Sequence, residues 1–229
     1  MKAFIVAWRA LVSLYDSLFF LIGISLLWWV TGGVFVGLAA LAGYVLAIAP
    51  GPWWIAPIVA IPAGPANVAL AEVARRAARG KQVDRGDYLA TLRSYWRPGL
   101  LLSALGMIAL ALLLLNIIFY RMQPGTVLRT IAIVWGYLLV VWLSVQVYVY
   151  PIYASLEQPS LGMALRMAAL AVLANPLFSV LLLVVAGALT ALCVALPILL
   201  PIAWPALMAL LGEHALELFL QRAGAGPGE

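Results

Sequence analysis

Charged side chains are scarce in this chain. Lys, Arg, Asp and Glu make up 9% of the 229 residues and apolar residues make up 66%, against roughly 25% and 45–50% in an average soluble domain. So few charges cannot cover the surface of a soluble domain of this length. The composition therefore excludes the ordinary soluble classes and indicates a protein that lies in a lipid bilayer.

Histidine and cysteine occur once each, as His214 and Cys193. A single cysteine excludes an intrachain disulfide and cysteine-based metal sites, and a single histidine excludes zinc motifs built on two histidines. His214 follows Glu213 at a predicted helix end, where adjacent side chains point about 100° apart. We interpret the pair as a solvated helix end and not as a metal site.

Catalytic motifs are also missing. No Walker-type glycine-rich loop for nucleotide phosphates is present, and any Ser-His-Asp or Cys-His arrangement would have to be built on His214. We therefore expect a non-enzymatic protein with no catalytic residues, no cofactor-binding residues, no cofactor and no metal.

Apolar residues fall in long blocks. Residues 99–120, 130–156 and 167–212 contain no charge, and each block reaches the roughly 20 residues that cross a hydrocarbon core as a helix. The alternation typical of barrel strands is absent. The sequence predicts an all-α fold, a polytopic transmembrane helical bundle of roughly six spans with interfacial amphipathic helices. Residues 1–222 form one integral membrane domain in this interpretation, and residues 223–229 form a flexible tail.

The first 75 residues leave the number of membrane crossings open. An amphipathic lead-in over residues 1–12 precedes a first span at about residues 14–30. Further on, Pro57, Pro62 and Pro65 fall within nine residues, which favours a broken or re-entrant stretch over a regular helix. Residues 14–75 then cross the membrane either two or three times. Lys2 and Arg9 favour two crossings, with the N-terminus in the cytoplasm.

One connection carries the net charge of the chain. Residues 75–97 hold seven of the 13 basic residues against two acidic ones, Asp84 and Asp87. Basic connections are retained in the cytoplasm, so this segment is predicted to face that side. We expect Arg93, Trp96 and Arg97 to contact anionic lipid headgroups and to offer a surface to a membrane protein partner. Nucleic acid is not an expected partner.

A polar side chain inside a membrane is costly without a partner, so such residues are candidate ligand contacts. Asp16 is a proton or cation site, a helix cap or a surface ion-pair partner of Arg9, and its position close to the membrane surface favours the last two. Asn67 directly follows the Gly64-Pro65 break, where it either meets a ligand or caps a helix. Asn116 and Gln146 are predicted to form hydrogen bonds between helices.

Several short patterns occur in an order that resembles the YesL-like family of bacterial integral membrane proteins. They are Leu26-Leu27-Trp28, the run 64–70 from Gly64 to Leu70, Asp87-Tyr88, Tyr95-Trp96-Arg97 and Tyr150-Pro151. The biochemical role of that family is unassigned. The resemblance implies that the protein lies in a bacterial cytoplasmic membrane and is associated with carbohydrate uptake and breakdown systems. This expectation rests on analogy alone.

Two functions stay open at this point. The first is an accessory or scaffold protein associated with carbohydrate uptake, which acts through residues 75–97. The second is a small secondary transporter or channel with a site at the broken segment, residues 57–67.

Overall fold

The computed structural model describes residues 5–10, 12, 18–49, 51–80 and 84–222. Every regular element among these residues is helical, which confirms the predicted all-α bundle. The predicted tail at 223–229 and Asp16 lie outside the described residues, and the predicted lead-in is described only at 5–10, which are helical, and at 12.

Ten α-helices, one π-helical turn and one 3-10 helix follow one another through the described part of the chain. They are α1 Leu18–Trp28, the π-turn Trp29–Gly33, α2 Val34–Ile48, the 3-10 helix Trp53–Ala63, α3 Gly64–Ala78, α4 Arg85–Ser94, α5 Trp96–Met122, α6 Thr126–Ser155, α7 Leu161–Ala174, α8 Pro176–Ala195, α9 Leu199–Ile202 and α10 Trp204–Arg222.

Five helical segments in the described residues are long and apolar enough to cross a membrane: Ile22–Ile48, Trp53–Ala78, Trp96–Met122, Thr126–Ser155 and Pro176–Ala195. The sixth predicted segment corresponds to α9 and α10, which are separated at Ala203. The second half of α10 carries Glu213, His214 and Glu217. These polar residues lower the hydropathy of α10, which is not among the five segments suited to a membrane.

The described residues up to Ala78 contribute two of these segments, and the number of crossings stays a prediction. The prolines argued against a regular helix at residues 57–65, and residues 53–63 are indeed 3-10 helix and not α-helix. The predicted break or re-entrant turn is wrong, because residues 53–78 form one continuous helical segment. Pro57 and Pro62 lie inside its 3-10 part, and Pro65 lies in the first turn of α3. Proline is tolerated in a first helical turn, and the change to 3-10 geometry accommodates the other two prolines where a regular α-helix would lose bonds and clash.

Glycine allows α3 and α5 to cross at backbone contact. A Cβ added at Gly99 would lie 2.7 Å from the Cα of Pro65, and one added at Gly64 would overlap the carbonyl of Gly99. Small residues permit this close approach between membrane helices. The crossing fixes the start of α3, and therefore the position of Asn67.

The core is centred on α6. Its Tyr148, Val149 and Ile152 pack with Val68 of α3 and with α7 and α10. α7 contributes the buried Ala164 and Ala168 to this core. Tyr88 of α4 is fully buried.

Candidate functional site

A cavity of about 460 Å³ lies among five helices of the bundle, α1, α3, α6, α8 and α10. The walls are mostly hydrocarbon. The residues that line it are Trp28, Asn67, Leu70, Ala71, Leu143, Gln146, Val147, Tyr150, Pro151, Ala186, Trp204, Pro205, Met208, Ala209 and Leu211. No carboxylate and no basic side chain occurs among these lining residues.

Asn67 is held in place on one side of the cavity. The Nε1 of Trp28 donates a hydrogen bond of 2.9 Å to its Oδ1. Trp28 itself is fixed by edge-to-face contacts with Trp29 and Trp204, at centroid distances of 5.5 and 5.8 Å. Trp204 donates in turn to Thr190 Oγ1 at 3.0 Å. This chain of contacts orients the amide of Asn67 in the wall.

Gln146 on α6 carries a polar group without a partner. Its Nε2 is buried and has no hydrogen-bond partner among the described residues. The hydroxyl of Tyr150, one turn further along α6, is buried as well, but the side chains of Asn67 and Ser103 are its hydrogen-bonding neighbours. Most buried polar groups in proteins are hydrogen-bonded, and an unpaired one costs about 1–3 kcal/mol. The Gln146 amide is therefore available to a ligand in the cavity.

Glycines on neighbouring helices set the shape of this region. A Cβ at Gly106 of α5 would lie 3.0 Å from Gln146 Nε2, and one at Gly212 of α10 would lie 2.9 Å from the carbonyl oxygen of Val147. The missing side chains let α5 and α10 approach α6 closely. Movement of α10 against α6 therefore changes the cavity wall at Val147 and Pro151.

A charged layer follows the cavity along α3 and α10. Glu72 pairs with Arg75 at 2.6 Å and with Arg76 at 2.8 Å, and Arg76 also reaches Asp87 of α4 at 3.3 Å. On α10, His214 Nδ1 lies 3.1 Å from Glu217 Oε2. Charged residues therefore occupy one end of both helices, and the uncharged cavity lies next to them.

Glu213 belongs to this layer but is buried. Its side chain is 2% exposed, and its Oε2 has no hydrogen-bond partner in the described part of the structure. Burial, together with a smaller contribution from the nearby Glu217, raises the pKa of Glu213 to about 7, although Arg75 and Arg79 act against the increase. The group is therefore expected to be partly protonated near neutral pH.

The predicted contact residues occupy three places. Asn67 lines the cavity, whereas Gly64 and Pro65 are buried at the crossing with α5. Arg93, Trp96 and Arg97 are exposed around the start of α5, where the Arg97 guanidinium lies 5.4 Å from the centroid of the Trp96 ring.

The two other predicted polar positions differ from expectation. Asn116 donates to Leu112 O within its own helix at 2.8 Å, so this bond does not join two helices. Gln146 lies in the cavity wall with its Nε2 unpartnered. The prediction of hydrogen bonds between helices is therefore wrong for that bond of Asn116 and for Gln146 Nε2.

Sequence reasoning did not single out Tyr150, Trp28 or Trp204 as cavity residues, or Glu213 as a buried acid. Tryptophan and tyrosine are common at membrane surfaces, so their presence did not distinguish a wall from an interface. Only the cross-helix contacts identify them. Within the described ranges, no group of three or more His, Cys, Asp or Glu residues is arranged to hold a metal ion.

Comparison of the chain with known protein families, with characterised proteins and with solved structures returned no match. The YesL-like resemblance therefore stays a prediction. The described residues form an all-α bundle with five helical segments that are suited to a membrane.

Proposed function

We propose that this protein is a small secondary transporter which binds a neutral, mostly apolar molecule in the cavity beside Asn67. The observation that carries the proposal is Gln146 Nε2, a buried amide donor in the wall that has no hydrogen-bond partner among the described residues. A ligand with one neutral acceptor, such as a carbonyl oxygen, would give this donor a partner, while its apolar body would contact the hydrocarbon walls.

The composition of the walls favours this ligand class over two others. A sugar carries hydroxyls all around its ring and needs a partner for most of them, which Asn67, Gln146 and Tyr150 cannot supply alone. An inorganic ion needs several oxygen ligands or an opposite charge, and the lining residues include no charged side chain. A continuous channel for water or ions is disfavoured for the same reason.

Binding can be tested with prodan, a neutral apolar fluorophore whose ketone oxygen can accept a hydrogen bond from Gln146 Nε2. Purified protein in mild detergent would be titrated with the dye, and its emission followed. Ala186→Phe places a ring in the cavity wall, and Ala188→Phe places the same ring on the exposed side of α8. We expect the first substitution to abolish saturable binding and the second to leave it intact.

Transport is tested in vesicles that contain the protein. We expect dye efflux by the wild type and by Ala188→Phe, and the loss of protein-dependent efflux in Ala186→Phe and in Asn67→Ala. Saturable binding that is equal in Ala186→Phe and Ala188→Phe, or dye movement no faster than in protein-free vesicles, contradicts the proposal.

The second candidate is a non-enzymatic accessory or scaffold protein associated with carbohydrate uptake. It is supported by the exposed Arg93, Trp96 and Arg97 around the start of α5, a combination that is typical of lipid and protein contacts. Its link to carbohydrates rests on the YesL-like resemblance.

The accessory role has its own test. After mild detergent extraction, a membrane protein partner is expected to co-purify with the wild type and to be lost in the Arg93→Ala/Trp96→Ala/Arg97→Ala variant. Arg121→Ala/Arg129→Ala, at the opposite end of α5 and α6, serves as the control. Recovery of the protein alone, together with unchanged sugar uptake in a deletion strain, contradicts this candidate.

A further inference from the structure

Glu213 is a buried acid on a helix that also forms the cavity wall. Its side chain is 2% exposed, and its Oε2 lacks a hydrogen-bond partner in the described part of the chain. An ionised carboxylate in such a place is costly, so the neutral acid is the form that fits this packing. The described packing of α3 against α10 therefore corresponds to protonated Glu213.

The charged groups that act on Glu213 come from two helices. α3 contributes Arg75, Arg79 and Glu72, and α10 contributes Glu217; His214 lies next to Glu213 in the chain. The other elements that pack on α10 bring little charge: α1, α8 and α9 have no carboxylate and no basic residue, α6 has only Arg129 near its opposite end, and Arg9 in the helical stretch 5–10 is exposed.

Arg75 and Arg79 lie where they can attract the ionised form of Glu213. A negative charge on Glu213 is attracted by Arg75 and Arg79 and repelled by Glu72 and Glu217. Loss of the proton therefore pulls Glu213 toward the exposed Arg79, away from its buried position. The proton is the only group transferred: it binds the carboxylate of Glu213 and leaves it again.

The same two helices connect this acid to the cavity. Ala71 lines the cavity and Glu72 follows it directly; Leu211 lines the cavity two residues before Glu213. Gly212, between Leu211 and Glu213, is the residue at which α10 meets the carbonyl of Val147. A shift of Glu213 must therefore move the part of α10 that closes the cavity against α6.

We propose that Glu213 is a proton-binding site that couples proton uptake to occupation of the cavity beside Asn67. Protonation of Glu213 and binding of the ligand favour the same packed arrangement of α3 and α10, so each increases the affinity for the other by an equal factor. This inference rests on the proposed function, because it assigns the coupling ion to the proposed transporter.

The first test needs no ligand. Infrared spectra of the purified wild type are recorded across a pH series, and Glu213→Gln is used to assign the stretching band of the protonated carboxyl. We expect that band to disappear with a midpoint near neutral pH in the wild type and to be absent in Glu213→Gln. A wild-type protein without any carboxyl band near neutral pH overturns the proposal.

A second variant covers the case in which Glu213→Gln does not fold. Glu217→Gln removes the nearest repelling carboxylate, so the midpoint should fall but stay above the ordinary range for Glu, because burial is the larger cause of the raised pKa. A midpoint that does not change in Glu217→Gln would mean that the titrating group is not Glu213.

The second test measures how ligand binding depends on the protonation of Glu213. Prodan is expected to bind the wild type about tenfold more tightly at pH 6 than at pH 8, if only the protonated form binds. Glu213→Gln should bind with the tighter affinity at both pH values, and Glu157→Gln, an exposed acid between α6 and α7, should keep the tenfold difference.

The outcomes separate the two hypotheses. No dye binding by the wild type at any pH removes the proposed function, and with it the coupling, even if Glu213 titrates as expected. Dye binding that is independent of pH in the wild type leaves the transporter proposal standing and overturns the proton site.

Discussion

The indole of Trp28 and the amide of Asn67, 39 residues apart in the chain, are joined by a hydrogen bond of 2.9 Å at the wall of the cavity. The bond ties the end of α1 to the start of α3. It also holds the Asn67 amide in a fixed orientation in the wall that contains Gln146, whose Nε2 has no partner among the described residues.

A double-mutant cycle on this pair measures what the bond contributes. We expect Trp28→Phe and Asn67→Ala to be coupled by about 1 kcal/mol, the usual net contribution of one buried hydrogen bond. Unfolding in mixed micelles gives the free energies. Strictly additive effects of the two substitutions would show that the bond does not contribute to stability.

The crossing of α3 and α5 predicts a severe effect for a small substitution. Gly99→Ala brings a methyl group to 2.7 Å from Pro65 Cα, a backbone atom that cannot turn away, so the free energy of unfolding should fall by about 1–3 kcal/mol or more. Gly136→Ala in α6 adds the same methyl where nothing lies within 4 Å and is expected to be neutral or slightly stabilising. Thermal melting in detergent compares the two, and equal melting temperatures would contradict the tight crossing.

The raised pKa of Glu213 predicts how stability changes with pH. Because burial lifts that pKa from 4.5 to about 7, the folded state holds this proton more tightly than the unfolded state does. This contribution is present in full below pH 4.5 and is lost as pH rises to about 7 and beyond.

Glu213→Gln carries a neutral side chain at every pH, so its free energy of unfolding should not show this loss. Relative to the variant, the wild type is expected to lose about 3 kcal/mol over that interval, measured as unfolding at pH 5 and pH 8. The exposed Glu157→Gln serves as the control. A constant difference between wild type and Glu213→Gln at both pH values is the contrary result.

Exposed basic residues predict a preference for acidic lipid at one end of the bundle. Arg93→Gln/Arg97→Gln removes two exposed charges beside Trp96, each of which contributes roughly 1 kcal/mol near an anionic surface. Native mass spectrometry after mild extraction should show fewer retained anionic lipids in this variant. Loss of the same lipids in Arg121→Gln/Arg129→Gln, and not here, would place the lipid contacts at the other end.

The sequence was sufficient for features that depend on composition along a single segment. Uncharged blocks of spanning length predicted the helices α5, α6 and α8. Those features are local, because helix length and termination are decided within a few turns.

The remaining features depend on contacts between distant residues. Prolines alone indicated a break at residues 57–65, but contact with α2 and α5 keeps this segment helical in 3-10 form. Glu213 is buried because α10 packs beside α3, and the spacing of apolar residues in 204–222 does not predict this burial. For the same reason, the sequence singled out Asn67 as a ligand contact but could not predict the cavity beside it. Tyr150 appeared only in the family pattern, and the sequence did not predict that it lines a cavity.

The 3-10 helix at Trp53–Ala63 also decides how deep the cavity lies. A 3-10 helix rises about 2 Å per residue instead of about 1.5 Å, so these 11 residues cover about 22 Å, most of a hydrocarbon core about 30 Å thick. Only eight α-helical residues, about 12 Å, then separate Asn67 from Arg75. The cavity therefore lies nearer the end of this segment that carries Arg75 than the end at Trp53, and a molecule that enters from the Arg75 end has the shorter path to Asn67.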